Sequence, residues 1–275
     1  MNIEYIDIVI INDIEEENNK DKENNKEKEN NKKKEQEKEK EQDKEKDQKQ
    51  NTECKKKTKL IKNILKACDE KNDIYEIGVD EVGRGPLFGR VYSAAVILPK
   101  DDSFDHFKIK DSKKFHSKKK IQEIADYIKM HAISWAVTYE DEKVIDDINI
   151  LQATQKSMHK SILEIMKKTN KNEYKILIDG NYFKPLVVDN NIKYKFVCVE
   201  GGDNIYSSIA AASIIAKVER DKYIEELCNL FPDLKEKYGI ESNKGYGSKK
   251  HIDGIKEHGI TKWHRKTFGI CKEFI

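Results

Sequence analysis

Residues 75–99, YEIGVDEVGRGPLFGRVYSAAVILP, set two apolar runs on either side of a glycine-rich turn. The runs 75–81 and 91–99 are rich in β-branched and aromatic residues, which predicts two strands joined by that turn. The first run stops at two adjacent carboxylates, Asp80 and Glu81, followed at once by Gly83, Arg84 and Gly85. Acids at a strand end beside a clamped cation suit a site that handles metal and phosphate. Glycines at 83 and 85 let backbone come close to a ligand, whether a phosphate or a sugar hydroxyl. An ordinary hairpin turn with an exposed arginine has the same spacing, so the stretch alone does not decide between them.

Outward from this pair, the order of elements defines the fold class. Residues 117–130 carry Ile121, Ile124, Ala125 and Ile128 at helical spacing, 132–140 reads as a third strand, and 150–168 is helical with Leu151, Met158, Ile162 and Ile165 on one side. Short strands follow at 174–180 and 193–200. A long helix at 205–231 presents Ala210, Ala211, Ala212 and Ala216, small enough to let it approach a sheet closely. Three strands and then strands alternating with helices predict an α/β fold, a mixed sheet flanked by helices, with a smaller, more polar helical lobe at 232–275.

Three acidic positions share one kind of place, the end of a strand or the start of a helix. They are Asp80 with Glu81, Asp179 in ILIDG, and Asp203 in EGGDN. Side chains converge where neighbouring strands of an α/β sheet end. Four carboxylates gathered there repel one another, and a hard divalent cation with oxygen ligands relieves that repulsion. Each acid taken singly also suits a loop or a cap; the shared position distinguishes the set.

Composition separates the chain of 275 residues into two parts. From 15 to 57 there is no aliphatic or aromatic side chain, so residues 1–58 are expected to be a disordered charged tail and 59–275, led by a short helix at 59–69, the folded domain. The tail carries a net charge of −3 and the remainder +5, with the basic excess concentrated after residue 235, as suits a polyanionic partner. Cys54, Cys68, Cys198, Cys228 and Cys271 are odd in number and form no C-x-x-C pair, which argues for a reducing compartment and against a zinc knuckle. The apolar N-terminus lacks a basic flank, and no run approaches 18 apolar residues, so neither a signal peptide nor a membrane span is expected. These features predict an intracellular, cytoplasmic protein.

GVDEVGRGPLFGRVYSAAVIL (78–98) resembles the first motif of the ribonuclease HII family. KDSKKFHSKKK (110–120), INILQATQKSM (148–158), ILIDGN (176–181), GGDNIYSSIAAASIIAKVERD (201–221), NKGYGSKKH (243–251) and HRKTF (264–268) match the same family in order, across about 74–270. The resemblance implies a ribonuclease H-like fold and endonucleolytic cleavage of RNA in RNA–DNA hybrids. It extends to nicking beside ribonucleotides embedded in duplex DNA, leaving 5′-phosphate and 3′-hydroxyl ends. It implies two Mn²⁺ or Mg²⁺ ions per site, held by Asp80, Glu81, Asp179 and Asp203. The family's backbone reader of the 2′-hydroxyl falls on Gly83, Arg84 and Gly85, and its sugar-packing tyrosine on Tyr246. Lys113 and Lys114 are candidate phosphate contacts. The expected partners are RNA–DNA hybrid and ribonucleotide-containing duplex, the expected state is a monomer, and the tail's partner is unassigned. Arg84 and the KVERD ending favour type HII over the type HIII preference for longer hybrids; a catalytically idle hybrid binder is the rival from another class.

Some positions depart from the family pattern. Arg90 stands at a common proline, Phe88 at a small residue, and Gly201 and Ile205 at usual lysines. His251 reads as a structural histidine or a leaving-group acid. Asp146 and Asp147 read as helix caps, Asp221 as part of a local ion pair, and Trp135 and Trp263 as packing residues. Arg84 is expected to be the most replaceable residue of its loop, because the reading is done by backbone.

Overall fold

The computed structural model describes residues 67, 74–109, 117–171, 173–188 and 192–275. The tail, the expected helix at 59–69 apart from residue 67, and Lys113 and Lys114 lie outside them. Strands β1 (Tyr75–Val82), β2 (Val91–Ile97) and β3 (Ser134–Glu140) run antiparallel to their neighbours. β4 (Tyr174–Asp179) then joins the other side of β1 in parallel. Two two-residue strands, β5 (Val187–Val188) and β6 (Ile192–Lys193), pair with each other, and β7 (Phe196–Val199) closes the main sheet parallel to β4. The resulting order is β3-β2-β1-β4-β7.

Helices cover both faces. α1 (Lys118–His131) and α3 (Ser207–Leu230) share a core with Ala94 and Val96, whereas α2 (Glu142–Thr169) packs Met158, Ile162 and Ile165 on Ile77, Val79, Ile176 and Ile178. Alternation along β1 therefore sends Ile77 and Val79 to one face and Gly78 and Asp80 to the other. Gly78 has a specific reason to be glycine. A Cβ there would lie 2.2 Å from the carbonyl carbon of Ser208, so β1 and α3 meet at backbone contact. The expected small face of α3 is realised, with Ala210, Ala211, Ala212 and Ala216 fully buried. The lobe that follows holds α4 (Asp233–Glu236), α5 (Ile240–Asn243) and α6 (Lys249–His258), with Phe88, Tyr223, Tyr238 and Ile255 in its core.

One local reading is corrected. The helix expected at 150–168 begins at Glu142 and bends at Asn149, whose φ of 68° is left-handed. Asp141 and Asn149 cap its two segments, accepting from the N–H groups of Val144 and Gln152. Asp146 is not a cap. Its carboxylate instead accepts from the N–H groups of Lys266 and Thr267 and the Thr267 hydroxyl, at 2.7–2.9 Å, tying the C-terminal segment to α2. Asp147 lies inside the helix, one residue further on.

Candidate active site

The parallel pairing of β1 with β4 ends at Val79 beside Ile178, and one further step in that register sets Asp80 beside Asp179. Both then project to the α3 face from strands about 4.8 Å apart. Asp80 is buried and accepts from the N–H of Glu81 at 2.7 Å. Its own burial, followed by the charges of Glu81 and Asp179, holds its carboxyl well above the ordinary aspartate range, opposed in part by the Ser213 hydroxyl on α3. Burial also raises Glu81, while the Arg84 guanidinium 3.2 Å away lowers it and Asp179 raises it further.

Asp179 ends β4 and accepts from the N–H of Gly202 at 2.7 Å. A Cβ at 202 would lie 2.6 Å from Cδ1 of Ile209 and 3.4 Å from Oδ1 of Asp179, so the loop packs closely here. Asp203 follows in a short 3-10 turn at Gly202–Asn204, buried, with its carboxylate accepting from the Asn204 amide at 2.9 Å. Asp80, Glu81 and Asp179 thus act electrostatically on one another, and Asp203 directly follows Gly202, whose N–H donates to Asp179. No three acidic, histidine or cysteine side chains among the described residues are drawn tightly enough to hold an ion as they stand. The donor set is all oxygen, partly buried and like-charged, which suits a hard divalent cation.

Beside these acids lies the turn 83–90. Gly83 has φ 91°, and a Cβ on it would lie 2.3 Å from Nε of Arg220. Tyr246, half exposed, brings its ring against Gly85, where an added Cβ would lie 3.4 Å from Cε1. Leu87 donates to the Gly245 carbonyl at 2.8 Å, so the two turns form one surface. The Arg84 side chain does more than expected, since it pairs with Glu81 at 3.2 Å.

Sequence reasoning gave no role to the side chains that hold this surface. Arg220 is buried and donates to the carbonyls of Arg90, Phe88 and Lys244 at 3.0–3.4 Å. Arg265 is buried as well and donates to four carbonyls of the turn. Both arginines lie in motifs recognisable in the sequence, KVERD and HRKTF, but their partners do not. His251 is fully buried and hydrogen-bonded to His264, which makes it structural rather than a leaving-group acid. Asp221 pairs within its helix with Lys217 at 3.4 Å. Trp135 packs beside α1, and Trp263 packs against Phe88 and Phe231.

The departures near the turn have partners. Arg90 stacks over the rings of Tyr139 at 3.9 Å and Tyr223 at 4.4 Å. Phe88 is fully buried, edge-on to His264. Gly201 adopts φ 64°, and Ile205 is 43% exposed.

Solved structures with this arrangement fix the class. The ribonuclease H2 of Pyrococcus horikoshii OT3 superposes with a TM-score of 0.56 at 22% identity, covering 73% of this chain and 97% of that one. The ribonuclease HII in a PCNA complex from Archaeoglobus fulgidus gives 0.55 at 24%, covering 71% and 96%. The fold is ribonuclease H-like. At the level of sequence, the family model described as Ribonuclease HII matches residues 77–271. The ribonuclease HII of Pelagibacter ubique is 47% identical over 198 residues, 72% of this chain and 97% of that relative. That of Endomicrobium trichonymphae is 42% identical over 198 residues, 72% and 87%. The chain belongs to the ribonuclease HII family, metal-dependent hydrolases that act on RNA in RNA–DNA hybrids. No helix among the described residues is long and apolar enough to cross a membrane.

Proposed function

We propose that this chain cleaves the RNA strand of RNA–DNA hybrids and nicks duplex DNA on the 5′ side of single embedded ribonucleotides. In this reading Asp80, Glu81, Asp179 and Asp203 hold two divalent ions, Mn²⁺ or Mg²⁺. Bound there, the ions would supply an activated water on one side of the phosphodiester and charge stabilisation of the leaving oxygen on the other. The residues do the rest. Asp80 and Asp179 set the spacing from adjacent strands, Ser213 orients Asp80, and Gly202 orients Asp179. The backbone of Gly83, Arg84 and Gly85 reads the 2′-hydroxyl, and the Tyr246 ring packs the sugar.

The observation that carries the reading is the register that puts Asp80 beside Asp179, with the surface formed by Gly85 and Tyr246 adjoining across two bonded turns. The test uses the full chain with Mn²⁺ or Mg²⁺ and two labelled substrates, a duplex with one internal ribonucleotide and a longer RNA–DNA hybrid. Cleavage of both, lost on chelation and in Asp179→Asn, is the expected result. Intact substrates at every metal concentration would leave an idle hybrid binder. Cleavage of the long hybrid alone would mean a type HIII-like preference.

A further inference from the structure

The turn 83–90 and the turn carrying Tyr246 are separated by some 160 residues, yet both are anchored on two consecutive residues of the C-terminal lobe, His264 and Arg265. The Arg265 guanidinium donates to the carbonyls of Gly83 at 2.6 Å, Arg84 at 2.9 Å, Pro86 at 2.8 Å and Gly89 at 2.8 Å. Its backbone N–H adds a bond to the Leu87 carbonyl at 2.9 Å. A planar fork of five N–H donors fits this arc of acceptors, which no other side chain does. With those carbonyls turned inward, the N–H groups of the same peptides face away. Among the described residues, the N–H groups of Arg84 and Gly85 meet no protein acceptor.

His264 reaches the other turn through a proton chain whose direction is fixed at both ends. The Thr261 N–H, which can only donate, points at Nδ1 of His264 at 2.9 Å. That nitrogen is therefore bare, and His264 carries its proton on Nε2. It donates to Nε2 of His251 at 3.0 Å, so His251 carries its proton on Nδ1. That N–H donates in turn to the Tyr246 carbonyl at 2.9 Å, which can only accept. Every polar atom of the two imidazoles is used, both rings are neutral, and the chain ends on the residue whose ring lies against Gly85.

We infer that His264 and Arg265 are positioning residues for ribose recognition. Arg265 turns the carbonyls of the 83–86 loop inward and so presents its N–H groups to the sugar, while His264 acts through His251 to seat Tyr246 beside them. The inference rests on the ribonuclease reading above. It assigns these residues to discrimination between ribose and deoxyribose, apart from the acids that would hold the ions.

The test measures binding without cutting. In the full-length chain carrying Asp179→Asn, fluorescence anisotropy with Mg²⁺ gives Kd for two duplexes of one sequence, one with a single internal ribonucleotide and one all DNA. The parent is expected to prefer the ribonucleotide duplex. Adding Arg265→Lys should lower that preference at least about tenfold, and His264→Gln severalfold, the scale of one lost hydrogen bond, with all-DNA affinity unchanged. Partial misfolding weakens both affinities together and leaves their ratio in place, so an unchanged ratio in both variants overturns the inference. A parent with no preference for the ribonucleotide would instead sink the ribose-reading assignment beneath it.

Discussion

Two buried charged regions adjoin in this molecule, and they are solved in opposite ways. In the acidic region, Asp80, Glu81 and Asp179 crowd like charges at the ends of β1 and β4, and burial raises the carboxyls of Asp80 and Glu81. In the basic region, Arg220 and Arg265 are at most 1% exposed, yet their guanidinium groups are answered by carbonyl dipoles. Burial and the neighbouring Arg220 charge push Arg265 down to about 9, so it remains a cation at neutral pH. A satisfied buried charge rigidifies its surroundings, whereas an unsatisfied cluster is strained until a counter-charge arrives. On the proposed reading the acidic region would receive an ion, whereas the basic region holds the shape of the turn.

This contrast is open to direct challenge. The largest effect is expected for Asp80→Asn, which should lower cleavage more than about a hundredfold, beyond the loss typical of an outer-shell partner. Because the folded protein raises this carboxyl, the ionised form destabilises the native state at neutral pH. The variant should therefore melt at a higher temperature than the parent in chelator. A lower melting temperature would mean that the acids are not mutually strained.

Next comes Gly83→Ala. A methyl there needs an unfavourable φ of 91° and lies 2.3 Å from Arg220 Nε, so destabilisation of roughly 3 kcal/mol is expected by urea unfolding. An effect below about 1 kcal/mol would show that the turn yields and is not braced.

A smaller effect should appear with pH. Burial, then the neighbouring His251, pushes His264 down to about 3 from an ordinary value of 6.5. The unfolded chain takes up a proton at this residue between those values and the folded chain does not. The stability it contributes is complete above about pH 6.5 and falls toward pH 3, by about 1.4 kcal/mol per pH unit. His264→Gln should flatten the parent's acid-side loss over that window. Parallel stability curves for the two proteins would contradict a neutral buried pair.

The smallest effect belongs to Arg84→Gln. Its ion pair with Glu81 is half exposed on the arginine side, so a rate change under about fivefold is expected. Arg84 lowers Glu81, and its loss should move the acidic limb of the rate profile to higher pH. A hundredfold loss would make the side chain, not the backbone, the reader of this loop.

The acidic region was largely legible in the sequence and the basic one was not. Asp80, Glu81 and Asp179 end runs whose strand character is written in local composition, so a shared location followed from element order alone. The sheet was legible for the same reason, since β1, β2, β3 and β4 each carry an apolar signal within six to eight residues. Arg220, Arg265 and the two histidines look like surface residues in a basic stretch. What buries them are carbonyls as far as 182 positions away, and every residue has a carbonyl, so no side-chain pattern marks the partner. Asp146 failed as a cap for a related reason. A local explanation was available, while its true partners lie 120 and 121 residues further on.

The reach of Arg265 bears on the order in which the molecule becomes competent during synthesis. β1, its turn and β2 leave the ribosome early, and β4 and the 3-10 turn at Gly202–Asn204 supply the remaining acids by residue 203. The turn 83–90 still lacks its brace at that stage, because the guanidinium that gathers its carbonyls has not been translated. A nascent chain stopped before residue 264 would hold all four acids beside a turn that still lacks the bonds from Arg265. Maturation of this chain is thus a late closure onto the first of its described strands, and on the proposed reading ribose discrimination would be the last property it acquires.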